Sequence, residues 1–404
     1  MKKILFIILD GLGDRPSRDL DFKTPLQAAK KDNLTYLASK GIVGLLDPIT
    51  PGIRPGSDTS HLNLLGYDPF KVYTGRGPFE ALGLGMNLKP GDIAFRGNFA
   101  TVDRDLNVID RRAGRIESGT EKLAESLNMK MDDVEILAKE GVEHRIAVVF
   151  RGKGLSPKIT DTDPHEENVP VKESRPLDDS GKKMADLVNR FTRKSFDILD
   201  SHPVNIERRN SGKRPANIVL LRGAGVVPEL ENFEKKYFLH AACIVGVPLI
   251  SGICSLAGIT PLKIKGATGT INTDMNAKIR GAIDSLSRYD FVLINIKATD
   301  IAGHDGNALL KKEIIERADR AMEPLRDILK DTVIMITGDH STPCSVKDHT
   351  GDPLPIMIVT DGIRSDNVTS FDEISAVKGS LRIRGSDVMN LLMNYSDRAE
   401  KFGA

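Results

Sequence analysis

Residues 1–14 read MKKILFIILDGLGD: two lysines, an apolar run from Ile4 to Leu9, and then Asp10. The stretch imitates a secretory leader, but Asp10 interrupts the run early and no small-residue cleavage site follows, so the expectation is a buried first strand. A short, unbroken apolar run is what a strand covered on both faces requires, because neither face alternates with solvent. KILFIIL (3–9), IVLL (218–221), FVLINI (291–296), VIMIT (333–337) and PIMIVT (355–360) share this character. Between them lie helical patterns, ELENFEKKYFLHAACIVG (229–246) and NALLKKEIIERADRAMEPLRDILK (307–330). The alternation predicts an α/β layered core with a largely parallel sheet built from crossover units.

The middle of the chain is different in kind. GDIAFRGNFATVDRDLNVIDRRAGR (91–115) and HRIAVVFRGKG (144–154) carry short strand-like pieces, turn signals and many arginines. An inserted α+β domain accounts for them, giving residues 1–88 and 215–404 to the core and 89–214 to the insert. The polar, proline-bearing segment 161–182 is expected to be a long or mobile loop.

Composition narrows the partners. With 404 residues the chain exceeds one ordinary core. Its 57 basic and 56 acidic residues leave no cationic excess for a nucleic-acid backbone or an anionic membrane, so neither is an expected partner. Beyond residues 1–14, no apolar stretch reaches the length of a bilayer span. Three cysteines without a CxxC pair suit a reducing cytoplasm and imply no thiolate zinc site.

Three of the predicted strands run into aspartates: Asp10, Asp300 and the pair Asp339-His340. At the carboxyl edge of an open parallel sheet these carboxylates converge, and unpaired they repel. Divalent metal ions are the natural way to hold them together. Asp300 and His304 are four residues apart, on one face of a helical turn, and His349 follows in SVKDHTGDPLP. Asp10, Asp300, Asp339, His304, His340 and His349 form a mixed oxygen and nitrogen donor set suited to manganese, zinc, cobalt or iron, and less naturally to magnesium. An aspartate after a strand also serves as a plain cap; the cluster, not any one residue, carries the metal reading. His202 and His240 are assigned nothing.

RPGSDTSHLNLLGYDP (54–69) poses a second choice. Ser57, Asp58, Thr59 and Ser60 are all good helix N-caps, while a serine beside two metals is a potential nucleophile whose hydroxyl pKa the metals lower. Local sequence leaves both readings open.

The motifs LDGLGD (9–14), GSDTSHLN (56–63), TDIAGHDG (299–306) and TGDHSTP (337–343), with a later histidine, resemble the alkaline phosphatase superfamily. GYDPFKVYTGRGPFEALGLG (66–85), DRRAGRI (110–116), DTDPH (161–165) and LLRGAG (220–225) are similar to the archaeal-type branch of its cofactor-independent phosphoglycerate mutases. The resemblance implies an alkaline-phosphatase-like core and one metal on Asp300, His304 and His349. It implies a second metal on Asp10, Ser57, Asp339 and His340, with Ser57 as nucleophile and His61 structural. Manganese is the expected ion at both sites, with zinc, cobalt or magnesium as alternatives.

The implied reaction interconverts 3-phosphoglycerate and 2-phosphoglycerate, a step of glycolysis and gluconeogenesis, through phosphoserine. No RHG tripeptide occurs for a phosphohistidine route, so no 2,3-bisphosphoglycerate requirement is expected. Arginine binds phosphate and carboxylate in bidentate fashion. Of Arg96, Arg111, Arg112, Arg115, Arg145, Arg151 and Arg222, the residues expected to face this small anionic substrate are Arg96, Arg112, Arg145 and Arg222. His165 and Asp163 are candidate acid/base groups, or simply an Asx turn. Closure of the insert, with hinges near 86–92 and 212–217, is expected to exclude water. A metal-dependent phosphomonoesterase, a phosphopentomutase, and a non-catalytic metal- or nucleotide-binding protein are the competing readings.

Overall fold

The computed structural model describes residues 1–403. In chain order its strands are β1 (Lys3–Leu9), β2 (Ile42–Asp47), β3 (Ile93–Val102), β4 (Val108–Asp110), β5 (Met129–Met131), β6 (Val134–Glu140) and β7 (Arg145–Arg151). The second half adds β8 (Ile218–Val226), β9 (Ala241–Ile244), β10 (Thr260–Pro261), β11 (Phe291–Ile296), β12 (Thr332–Thr337), β13 (Leu354–Val359) and β14 (Leu381–Arg384). The chain packs as two compact units, Met1–Val72 with the chain from Leu230 on, and Tyr73–Glu229.

The first unit is built on an eight-stranded sheet in the order β10-β9-β11-β1-β12-β13-β2-β14. From β10 to β12 every pairing is parallel. Each residue of β11 and β12 is buried, as is β1 beyond Lys3, which is why these strands read as unbroken apolar runs. β13 departs from the expectation: PIMIVT pairs antiparallel with both β12 and β2. No helix intervenes between Thr337 and Leu354, and a parallel return requires a crossover. An apolar run reports two covered faces; it does not report strand direction.

The second unit holds a six-stranded sheet, β4-β3-β7-β6-β5 with β8 also on β3, antiparallel in all its pairings. IVLL (218–221) therefore belongs to this sheet, not to the parallel core. Its continuous apolarity has the same cause: Val219 and Leu221 pack in the cluster that holds Phe191 of the helix Lys182–Asp200, while Ile218 and Leu220 pack with Ala100 and Val102. The helix Gly77–Gly83 also packs here, with Ala81 against Ala94, Ala147 and Val149. Those contacts place the unit's edges at Tyr73 and Glu229, outside the expected 89 and 214, and put the expected hinge segments inside the unit.

Two local expectations also change. Only Phe233–Tyr237 of the stretch 229–246 is helical, and Ala241–Ile244 is β9. The segment 161–182 has no strand and only a short 3-10 turn at its end, yet it is tied down. Thr162 N donates to Leu221 O at 2.9 Å, Asn168 N to Val108 O at 2.7 Å and Thr160 N to Arg175 O at 2.9 Å.

Candidate metal centre and arginine group

In the first unit the carboxyl ends of β1, β11 and β12 deliver Asp10, the Asn295–Asp300 segment and Asp339-His340 to one edge. Asp10, Asp339 and His340 are fully buried, and Asp300 nearly so. Two groups of ligand atoms lie within 4.8 Å of one another: Asp10, Asp339 and His340, and Asp300, His340 and His349. His304 stands beside the second group, its Nε2 3.5 Å from Asp300 Oδ1.

The histidines share one hydrogen-bonding logic. His304 Nδ1 donates to Lys347 O at 2.9 Å and His349 Nδ1 to Pro55 O at 2.9 Å, since a carbonyl only accepts. The Thr342 hydroxyl gives its proton to Asp300 Oδ1 at 2.7 Å, so at 3.0 Å it accepts from His340 Nδ1. Each ring thus turns a lone pair on Nε2 toward the carboxylates, as metal-ligating histidines do when their other nitrogen is held. Burial pushes the His340 and His349 imidazoles below their usual range, keeping them neutral donors. His61 differs: Nδ1 is 2.7 Å from Ser57 O, and Nε2 is 3.4 Å from Asn295 Nδ2. Both nitrogens are used inside the protein, in keeping with a structural role.

Ser57 is the first residue of the helix Ser57–Leu64, and the N-cap is Gly56 rather than any of the four candidates. Thr59 completes the start, its Oγ1 accepting from Gly56 N at 3.1 Å. The Ser57 hydroxyl, released from capping, lies 3.1 Å from His340 Nε2. Amide N–H groups of this first turn and the positive end of the helix favour an anion there.

Sequence reasoning missed Lys297 and Asn295. Lys297 Nζ bridges Asp10 Oδ1 at 2.9 Å and Asp300 Oδ2 at 2.7 Å, and Asn295 Nδ2 donates to Asp10 Oδ2 at 2.9 Å. A lysine and an asparagine at the end of the apolar run FVLINI were the available signal. Burial alone would raise Asp300, but the charge and hydrogen bond of Lys297 outweigh it and hold that carboxyl below the usual range. At Asp339 the balance goes the other way: burial and the Asp10 carboxylate push it well above the usual range against the pull of Lys297 and the Gly11 N–H, and its Oδ2 has no hydrogen-bond partner among the described residues. A buried, orphaned carboxylate oxygen among neutral imidazoles fits a cation, so the residues present suit the metal centre that the sequence implied.

Behind the centre, Lys311 and Asp14 form a buried pair at 2.8 Å. Lys311 Nζ also donates to Gly13 O at 3.1 Å and Thr342 O at 2.9 Å, joining the loops that follow β1 and β12. Glu373 accepts from Asp14 N at 3.1 Å and Thr24 Oγ1 at 2.6 Å. Burial pushes its carboxyl up to about 7, against the pull of those donors. An acid with a raised pKa contributes stability below its unfolded value and loses it as pH rises through the folded one. Glu373→Gln is therefore expected to match the parent near pH 4.5 and to exceed it at pH 8 by about 3 kcal/mol. Thermal unfolding at the two pH values checks this, and a gap that fails to widen contradicts it.

In the second unit, Arg96, Arg145 and Arg222 come together while Arg112 lies on the exposed side of the same neighbourhood. Arg96 is 11% exposed, and burial followed by Arg76, Arg145 and Arg222 pushes its guanidinium well below the usual range despite Glu80. Burial and the charges of Arg145, Arg112, Arg96 and Arg115 press His144 down to about 3. Asp163 is buried and already committed, its two oxygens at 2.9 and 2.7 Å from Arg111 Nε and Nη2. His165 is half exposed, with Nδ1 3.3 Å from Arg111 Nη2. Arg151 is spent on Asp92.

A family model described as 2,3-bisphosphoglycerate-independent phosphoglycerate mutase matches residues 38–205. A protein of that name from Thermoplasma volcanium is 54% identical over 404 residues, covering 100% of this chain and 99% of its own. Another from Picrophilus torridus is 52% identical, with 100% of each chain covered. Among solved structures, the cofactor-independent phosphoglycerate mutase of Thermoplasma acidophilum is 47% identical with a TM-score of 0.73, covering 98% of this chain and 100% of that one. A Pyrococcus horikoshii protein is 39% identical with a TM-score of 0.87, covering 100% and 99%.

Proposed function

Since this chain belongs to the 2,3-bisphosphoglycerate-independent phosphoglycerate mutases, we propose that it interconverts 3-phosphoglycerate and 2-phosphoglycerate through a phosphoserine on Ser57 beside two divalent metal ions. The observation that carries this reading is the Ser57 hydroxyl at a helix start, 3.1 Å from His340 Nε2, among neutral imidazoles and buried carboxylates. Asp10, Asp339 and His340, with Ser57, would hold one ion; Asp300, His304 and His349 would hold the other. Manganese is the ion we favour for both. Such ions supply charge neutralisation on the phosphoryl oxygens and a lowered pKa at the serine.

The chain's own groups do the rest. Ser57 Oγ loses its proton and forms the bond to phosphorus as the bond from phosphorus to the C3 oxygen of glycerate breaks, and the released C3 oxygen takes up a proton. The first-turn amides of the helix Ser57–Leu64 take part of the phosphate charge. His61, through the Ser57 carbonyl, fixes the nucleophile's backbone. The C2 hydroxyl of glycerate then takes the phosphoryl group, and Ser57 Oγ leaves. Arg96, Arg112, Arg145 and Arg222 are assigned to the substrate's anionic groups. Asp163, held by Arg111, serves better as an orienting carboxylate for that arginine than as a free base. The cysteines are free thiols, and no described helix is long and apolar enough to cross a membrane; a reducing cytoplasm is the compartment we favour.

Incubation of the manganese-loaded chain with 3-phosphoglycerate is expected to give 2-phosphoglycerate with little free phosphate and no need for 2,3-bisphosphoglycerate. Dominant phosphate release would favour the phosphomonoesterase reading instead, and comparable turnover of ribose 1-phosphate would favour a phosphopentomutase. Chelation is expected to abolish activity and manganese to restore it.

A further inference from the structure

The stretch TGRGPFEALG (74–83) has no role in the mechanism above, yet its geometry is exacting. Gly75 has φ +135, and a Cβ there would meet Ala224 O at 2.2 Å; one on Gly77 would meet Ala94 O at 2.0 Å. Only glycine on each side of Arg76 lets the backbone lie this close to the sheet, against β8 on one side and β3 on the other. Thr74 Oγ1 anchors the approach by donating to Val226 O at 2.5 Å. Arg76 is thereby set among side chains of the two strands that carry Arg222 and Arg96.

One carboxylate serves both Arg76 and Arg96. Glu80 Oε1 lies 3.6 Å from Arg76 Nε and 3.4 Å from Arg96 Nε. The bland account is an ordinary i,i+4 ion pair, but the charges do not balance. Among the described residues the ion pairs of Arg76, Arg96, Arg111 and Arg222 go to Glu80 and Asp163, Arg145 has none, and both Asp163 oxygens are held by Arg111. The Nε atoms of Arg76, Arg96 and Arg222 are buried without a hydrogen-bond partner among the described residues. Buried cationic donors left open in this number can take an anion, which makes charge-assisted hydrogen bonds that water does not.

We propose that Arg76 is a further contact to the anionic substrate and that Glu80 is a positioning residue holding Arg76 and Arg96 in place for it. This rests on the mutase reading. In the manganese-loaded chain carrying Ser57→Ala, which does not turn over, adding Arg76→Met is expected to weaken 3-phosphoglycerate binding roughly 10- to 100-fold by calorimetry, the range of a lost charge-assisted hydrogen bond. In the otherwise intact enzyme the same change raises KM more than it lowers kcat. Glu80→Gln is expected to lower Tm in anion-free buffer and to gain more Tm from inorganic phosphate than the parent does, because phosphate then supplies the missing charge. A merely structural Glu80 would lower Tm and leave the phosphate increment unchanged.

Unchanged affinity and KM in the Arg76 variant, with circular dichroism showing a folded chain, would overturn the assignment of Arg76. An unchanged phosphate increment in Glu80→Gln would overturn that of Glu80. If the chain carrying only Ser57→Ala binds no 3-phosphoglycerate and the parent makes no 2-phosphoglycerate, the mutase reading itself fails and takes this inference with it.

Discussion

Ser57→Ala is expected to lower conversion of 3-phosphoglycerate by about 10⁴-fold or more, the scale on which loss of a covalent nucleophile acts. Of the neighbouring hydroxyls described, only that of Ser57 is within hydrogen-bond distance of His340 Nε2. Thr59 Oγ1 is engaged with the Gly56 backbone, and Thr342 Oγ1 gives its proton to Asp300. Ser60 is fully buried. Metal binding is expected to persist, because three carboxylates and three imidazoles remain, so calorimetry with manganese separates loss of the nucleophile from loss of the centre. Trapping after acid quench is expected to show phosphate on the parent protein and none on the variant. Residual mutase activity within tenfold of the parent would mean that the phosphoryl group does not pass through Ser57.

How much of this site the sequence disclosed depends on chain distance. Asp10, Asp300 and Asp339 were legible because each follows an apolar run, and parallel strands bring such ends to one edge. Local pattern left Ser57 as one of four hydroxyl or carboxylate residues, and the resemblance alone singled it out; in the structure the cap falls to Gly56. Strand direction and sheet membership were not legible. β13 and β8 have the apolar runs of parallel core strands because both their faces are covered, although one is antiparallel and the other belongs to the second unit. Charge partners were the least visible. Arg111 with Asp163 and Lys297 with Asp10 join residues far apart in the chain, and no local pattern marks such a pair. The i,i+4 pair Arg76 and Glu80 does have helical spacing, but the spacing alone reads as a surface pair; the burial of Glu80 and the open Nε donors give it another meaning.

Asp339→Asn is expected to move activity and stability in opposite directions. Asp339 Oδ1 accepts from Gly11 N and His340 N, each at 3.0 Å, and asparagine keeps that oxygen. Its Oδ2 is buried with no hydrogen-bond partner among the described residues and lies 3.3 Å from His340 Nε2. An amide NH₂ in that place donates to the imidazole lone pair and removes a charge from beside Asp10. In metal-free protein the exchange relieves a buried carboxylate and is expected to add about 1–3 kcal/mol of stability, seen as a Tm higher by a few degrees. With manganese present the order reverses, because an amide is a weaker ligand than a carboxylate and the parent gains more stability from the ion. Activity is expected to fall about 10³-fold or more, since the charge that held the cation beside Ser57 is gone. The paired thermal scans with chelator and with manganese are the decisive measurement. If the variant is less stable than the parent in chelator, the orphaned oxygen is not a strain that a cation relieves, and the buried carboxylates are held by the protein alone. If it is more stable there and less stable with manganese, the protein keeps an unfavourable carboxylate in its interior because the metal that activates the serine requires it.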